Sequence, residues 1–198
     1  MSNFYDFEPF KTNILTSDQC EELVEYDAPW VSSHVSEGSS TSVYVEQTKT
    51  GKESGTENTL NGSGSLMRRS KNKVITLFEI PDLVSPLNNF IKSKVDPELR
   101  ILDINYVRYV EGDIFYPHTD DQKTLESSGQ HTLRRITSIT MLEHSEDLKG
   151  GKLVVWRKGL AHEFLLEPGE TVVFPSQLLH EVTKIRSGYR EVLVAWLG

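Results

Sequence analysis

Cysteine is almost absent. Cys20 stands alone among 198 residues, so no internal disulfide can form and nothing suggests an oxidising compartment. Basic residues are in deficit, with 21 Lys and Arg against 29 Asp and Glu and a formal net charge of −8; the sequence pI is near 5.3. Lys and Arg drive phosphate contact, so this balance argues against a general nucleic-acid binder. No apolar run is long enough to span a membrane and no N-terminal stretch resembles a signal peptide; the expectation is a soluble, cytoplasmic protein with no membrane partner. A G-x-S-x-G, a phosphate-binding loop and a cysteine cluster are missing too, which leaves hydrolase, nucleotide-binding and zinc-finger readings without support. Hydrophobic residues reach only 37%, so part of a chain whose length suits one domain lies outside its core.

What is present divides near residue 100. Thr16-Ser17-Asp18-Gln19 has the pattern of a helix start, with Thr16 as N-cap and Gln19 three residues on, followed by Cys20, Leu23 and Val24 at helical spacing. This predicts a short helix to about Asp27, ahead of Pro29. Residues 36 to 65 are dense in Ser, Gly, Thr and charge, with little to bury beyond Val43, Tyr44, Val45 and Leu60. Such composition offers little burial to set against ordering entropy, and predicts a flexible surface segment or a flap, with Tyr44 in a short strand. From Asp82 to Val95, Leu83, Val84, Leu87, Phe90, Ile91 and Val95 recur at three- and four-residue spacing, an amphipathic helix that tolerates Pro86 early. Strand patterns follow at about 101–110, 133–142, 152–156, 162–166, 171–174, 178–185 and 189–197. The expectation is a single α+β, mainly β domain over 1–198. Helices and the 36–65 segment occupy 1–100, and a jelly-roll double sheet occupies 101–198.

Within the strand-rich half, one stretch carries chemistry. Tyr106 to Asp120 reads as a strand, a turn at Glu111-Gly112-Asp113, and then His118-Thr119-Asp120. Side chains two apart in extended chain share a face, so His118 and Asp120 can aim an imidazole and a carboxylate at one point. Those are two members of a two-histidine, one-carboxylate triad, which holds ferrous iron on one face and leaves other positions open. His180 offers the third ligand. Arg190 follows after the Ser187-Gly188 turn, and short antiparallel strands joined there would bring both side chains into one cavity. Alternation puts Arg190, Val192, Val194 and Trp196 on a common face, and an arginine among such neighbours is costly to bury without a partner. A carboxylate ligand gripped by the guanidinium fork would satisfy it. The competing pair His144-x-Glu146, which could join His162 or His180, lies in the polar run HSEDLKGG and reads as a solvated turn. His34, His131 and His162 have no partners at ligand spacing.

Taken together, these pieces resemble the Fe(II)- and 2-oxoglutarate-dependent dioxygenases, and among them the prolyl 4-hydroxylase branch. The matching residues are Tyr109 to Gly112, His118-Thr119-Asp120, Gly150-Gly151-Lys152-Leu153, Pro168-Gly169 with Val172-Val173-Phe174, and His180 with Arg190 and Trp196, all between about Ile101 and Gly198. Met67 to Lys71 resembles, more loosely, the arginine-and-serine segment that prolyl hydroxylases carry before their core. The resemblance implies a double-stranded β-helix, Fe(II) on His118, Asp120 and His180, and 2-oxoglutarate bound by its keto-acid end to the metal and by its far carboxylate to Arg190. It implies O2 as cosubstrate, succinate and carbon dioxide as products, and ascorbate as a candidate accessory. Tyr109 and Trp196 match residues at the cosubstrate pocket. A protein or peptide substrate is the implied partner, with proline the residue hydroxylated. Two departures qualify the substrate: there is no tyrosine between Ser138 and His144, and Arg190 stands where collagen-type members present lysine. Two readings therefore stay open, an oxygenase acting on a peptidyl residue (or on a small molecule or another side chain), and a metal- or ligand-binding jelly roll without turnover.

Overall fold

The computed structural model describes residues 5–36, 43–45, 66–73, 75, 79–125 and 129–198; residues 31–36, 43–45, 66–69 and 125 are described as backbone. Of the 36–65 segment only 36 and 43–45 fall within these, so its reading as a flexible flap lies outside the described residues, as do the side chains of His34, Tyr44, Arg68 and Arg69. The elements run β1 (Phe10–Asn13), α1 (Ser17–Glu25), β2 (Trp30–Ser36), β3 (Val43–Val45), β4 (Leu66–Lys73), α2 (Pro81–Lys94), β5 (Ile101–Val110), β6 (Ile114–His118) and β7 (Lys123–Leu125). There follow β8 (His131–Leu133), β9 (Ile136–His144), β10 (Leu153–Arg157), β11 (Leu160–Phe164), β12 (Glu170–Pro175), β13 (His180–Val182) and β14 (Tyr189–Leu197).

Both helices start where their sequence says. Thr16 Oγ1 accepts the Gln19 N–H at 3.3 Å and Gln19 Oε1 accepts the Thr16 N–H at 3.0 Å, a complete capping box that satisfies two orphan donors of α1. In α2, Pro81 occupies the first turn, and Leu83, Val84, Leu87 and Ile91 form its buried stripe. The main sheet follows the order β1-β12-β9-β14-β5-β4-β6-β13-β10-β11, with antiparallel pairing throughout. Its path bends at β4, where Lys71–Lys73 pair with β5 while Arg68 and Arg69 pair with β6.

The two arms face each other as a jelly roll. Their inner faces meet in one core: Val107 and Tyr109 of β5, Ile139 and Met141 of β9 and Val192 of β14 pack against Leu153 and Val155 of β10 and Val182 of β13. The outer face of the first arm carries the helices, with Leu23, Leu87 and Ile91 against Tyr106, Leu193 and Leu197. β14 shows the division plainly, because its even residues look into the roll and its odd residues look toward the helices.

Two expectations need correcting. Residues 1–100 are not only helices and a loose segment, since β1 and β4 are strands of the main sheet. β4 escaped a hydrophobic-pattern reading because its sequence, LMRRSKNK, is polar. Its buried side chains are satisfied by hydrogen bonds rather than apolar packing: Ser70 donates to Asn72 Oδ1 at 3.4 Å, and Asn72 donates to Asn105 Oδ1 at 2.8 Å. The second correction concerns the expected hairpin of 178–185 with 189–197. β13 is confined to His180–Val182 and pairs with β6 and β10, while β14 pairs with β5 and β9. The intervening residues are tied elsewhere, through Ile185 N–H to Asp113 O at 2.9 Å and Arg186 N–H to Lys149 O at 2.7 Å. The chain therefore crosses from one arm to the other instead of folding back on itself.

Candidate active site

That crossing places His180 and Arg190 in one pocket from opposite arms. His118, the last residue of β6, sits directly across from His180 of β13 in the strand register. Each imidazole uses Nδ1 on a carbonyl two residues earlier: His118 on Tyr116 O at 2.8 Å and His180 on Leu178 O at 3.0 Å. A carbonyl can only accept, so Nδ1 carries the proton and Nε2 of both rings keeps its lone pair for the pocket. The rings are held face by face, with Phe115 stacked on His118 at 3.5 Å between centroids and Phe174 edge-on to His180 at 4.8 Å.

Asp120 completes the group from the loop after β6, where its N–H donates to Ser176 O at 2.8 Å. His118 Nε2 lies 3.7 Å from Asp120 Oδ1 and His180 Nε2 lies 3.3 Å from Asp120 Oδ2. One ligand atom from each residue lies within 4.8 Å of the others, in surroundings where Asp120 is 8% and His180 2% exposed. Burial alone would raise the Asp120 carboxyl. Where Nε2 takes a proton in place of a cation, the positive charge on His180 and His118, with hydrogen bonds from His180 and the Trp196 N–H, outweighs it and holds the group well below the usual carboxylate range. Electron-pair donors converging in a buried site fit a divalent cation, and two neutral imidazoles with one carboxylate suit ferrous iron. Among the described residues no other His, Cys, Asp and Glu group could hold a metal.

Arg190 lies in the same pocket. It is 1% exposed, its Nη1 donates to the Gly151 carbonyl, and its Nε and Nη2 have no hydrogen-bond partner among the described residues. Burial pushes the guanidinium down to about 10, while Tyr109, whose ring centroid is 5.9 Å from Cζ, works the other way. Val107, Val192, Val194 and Ile139 line the pocket that holds both this cation and the metal-ligand group.

The structure thus brings together His118, Asp120, His180, Arg190, Tyr109 and Trp196, all of which line this one pocket. It keeps His144 apart, paired with Glu167 at 3.1 Å, and His162 apart, 3.5 Å from Glu8. Trp196 does something the sequence did not suggest: its indole N–H donates to Asp120 Oδ2 at 2.9 Å. Thr137, also unanticipated, donates to the same oxygen at 3.1 Å and shares a 2.9 Å hydrogen bond with Ser176. The available signal was a threonine on the strand face that also carries Ile139 and Met141, where a hydroxyl needs a partner.

Comparison with known proteins agrees with this site. Residues 104–198 match the model of the 2OG-Fe(II) oxygenase superfamily. A PKHD-type hydroxylase of Phenylobacterium zucineum is 35% identical over 91 residues, covering 46% of this chain and 40% of that protein. The chain spans under half the length of such relatives. Among solved structures, a viral collagen prolyl hydroxylase of Paramecium bursaria Chlorella virus-1, in complex with 2-oxoglutarate, superposes with a TM-score of 0.58 at 16% identity, covering 96% of this chain and 94% of that one. HygX of Streptomyces hygroscopicus, with nickel and 2-oxoglutarate bound, gives 0.56 at 12% identity, with 96% and 82% covered. These two share the fold. Over residues 104–198 the chain is thus similar to the 2OG-Fe(II) oxygenase superfamily. Among the described residues no helix is long and apolar enough to cross a membrane.

Proposed function

We propose that this chain is an Fe(II)- and 2-oxoglutarate-dependent dioxygenase that hydroxylates a residue in a peptide or protein, with proline the first residue to test. The observation that carries the reading is Arg190. A fully buried guanidinium with two nitrogens unpartnered among the described residues, in a pocket that also holds three converging metal ligands, is incomplete without an anion. A metal ligand set alone would suit a passive binding site, which has no need of that cation.

In this reading His118 Nε2, His180 Nε2 and Asp120 hold the metal, and Arg190 holds the far carboxylate of the cosubstrate through its free fork. Bound iron with 2-oxoglutarate and O2 supplies the oxidative decarboxylation to succinate and carbon dioxide and the hydroxyl transfer. The chain's own residues orient and shield. Gly151 O fixes one arm of the guanidinium, Tyr109 covers its side, and the valine-rich lining keeps water from the pocket that holds anchor and metal. The hydroxylase name of the Phenylobacterium relative supports hydroxyl transfer, and the resemblance of the Tyr109–Gly112 and His118–Asp120 motifs to the prolyl 4-hydroxylase branch is what suggests a peptidyl target. Ascorbate is expected to sustain turnover.

The test is decarboxylation of labelled 2-oxoglutarate with added iron, followed by a peptide-library screen for a one-oxygen mass gain. Release of labelled carbon dioxide without any modified peptide would move the target to a small molecule. Metal binding without decarboxylation would leave the binding-module reading in its place.

A further inference from the structure

We infer that Trp196 and Thr137 form a clamp on one oxygen of Asp120, committing Oδ2 to hydrogen bonds and leaving Oδ1 as the metal-binding atom. The inference rests on the metal reading above and goes beyond it in naming how the carboxylate is kept from chelating.

The two oxygens of Asp120 have different surroundings. Oδ2 accepts the Trp196 indole N–H at 2.9 Å and the Thr137 hydroxyl at 3.1 Å, and His180 Nε2 stands 3.3 Å from it. Oδ1 accepts no hydrogen bond among the described residues and faces His118 Nε2 at 3.7 Å. Each donor is itself held. Trp196 stands on β14 with the Arg134 guanidinium 3.9 Å from its ring centroid, and Arg134 is fixed by Thr124 Oγ1 at 2.8 Å and Asp103 Oδ2 at 3.4 Å. Thr137 stands on β9 and spends its one hydroxyl proton on Asp120, so its 2.9 Å contact with Ser176 Oγ must be a bond it receives. Ser176 also accepts the Asp120 N–H through its carbonyl, so the side chain and backbone of Asp120 are tied to one residue. Both donors come from strands of the main sheet, which hold geometry better than loops.

The consequence is coordination number. A carboxylate beside a divalent cation can bind through one oxygen or both, and the second takes a position that a chelating 2-oxo acid needs. Hydrogen bonds to Oδ2 make it a poorer ligand and fix the carboxylate plane, so the site presents three protein atoms and no fourth. Removing outer partners of this kind commonly costs about 10- to 100-fold in metal affinity or activity; here the freed Oδ2 binds the cation in their stead, so the loss falls on the position that the 2-oxo acid needs. Trp196 and Thr137 are therefore positioning residues.

The experiment uses metal-free full-length protein, with Co(II) as the metal probe and 2-oxoglutarate titrated afterwards, in wild type, W196F, T137V and the double variant. For the double variant the clamp predicts Co(II) affinity within about threefold of wild type, altered visible Co(II) bands before cosubstrate is added, and 2-oxoglutarate affinity lower by about tenfold or more. T137V, whose shape differs least from wild type, should show the same shift in bands with a smaller loss, and it decides the matter should the tryptophan variants fail to fold. Unchanged bands and unchanged 2-oxoglutarate affinity would overturn the clamp. So would Co(II) and cosubstrate affinities falling in parallel, the mark of a general packing role. Wild-type protein that binds no Co(II) would overturn the metal reading beneath it, an outcome distinct from the other two.

Discussion

The Nδ1 of each site histidine is bound to a backbone carbonyl, and that local detail decides what the pocket can hold. With Nδ1 protonated on both rings, two lone pairs and a carboxylate point inward. Asp120→Ala should therefore abolish metal binding and turnover together, whereas His144→Ala, at a residue engaged with Glu167, should leave Mn(II) affinity by calorimetry within about twofold, as expected of a surface side chain whose ion pair contributes little. Metal binding lost on His144→Ala would show the ligand assignment to be wrong. At Arg190 the loss of a charged bidentate partner should weaken 2-oxoglutarate binding by roughly 2–4 kcal/mol, about 30- to 1000-fold. Arg190→Lys keeps the charge without the fork and should fall between; an alanine variant with wild-type cosubstrate affinity would remove the anchor. Arg190 and Trp196 were legible together because period-two alternation puts them on a shared face, whereas Asp120 was legible from its H-x-D spacing although it lies in the loop after β6. The roles of Thr137 and Ser176 were not, since a buried hydroxyl announces that it needs a partner without saying which.

Elements were harder to read than residues. β5 and β14 appear with their expected bounds because each is long and rich in β-branched and aromatic residues, whereas β13 shrank to three residues and joined the opposite arm. Apolar patterning between Leu178 and Ile185 records burial, and burial alone does not specify which neighbour a strand pairs with. The crossing after β13 is instead fixed by close backbone approach at Gly150 and Gly151. Gly151 has φ +65°, and a Cβ there would stand 2.4 Å from Ile185 Cδ1 and 3.1 Å from Arg190 Cδ, while its carbonyl accepts Arg190 Nη1. Gly151→Ala should cost about 1–2 kcal/mol from the left-handed backbone alone. By pushing on the Arg190 stem it should also lower 2-oxoglutarate affinity by about tenfold, the size expected for disturbing one charge-assisted hydrogen bond. Mn(II) affinity should stay near wild type, because no metal ligand touches this glycine. A variant that lost metal and cosubstrate binding equally would mean the 150–151 turn supports the whole roll rather than the anchor.

At the scale of the whole molecule, the pocket places a stability cost where function needs an anion. Arg190 is among the largest fully buried side chains, and two of its three nitrogens lack a partner among the described residues. An unpaired buried cation disfavours the folded state, and replacing buried charge by an apolar side chain of similar volume is often neutral or stabilising by about 1–4 kcal/mol. Arg190→Met should accordingly match or exceed wild type in Tm when neither metal nor cosubstrate is present. With Mn(II) bound and 2-oxoglutarate at about 100 times its Kd, the wild type gains about 2.7 kcal/mol from the cosubstrate by mass action. For a domain of this size that corresponds to a rise of roughly 5–11 °C. Arg190→Met should keep the Mn(II) increment and lose most of the cosubstrate increment, so the order of stability reverses between the ligand-free and loaded proteins. Thermal unfolding of both proteins under the three conditions checks this. An Arg190→Met protein that is the less stable of the two without ligand would mean that its single bond to Gly151 and its packing outweigh the buried charge, and that Arg190 is held for structure rather than kept ready for an anion.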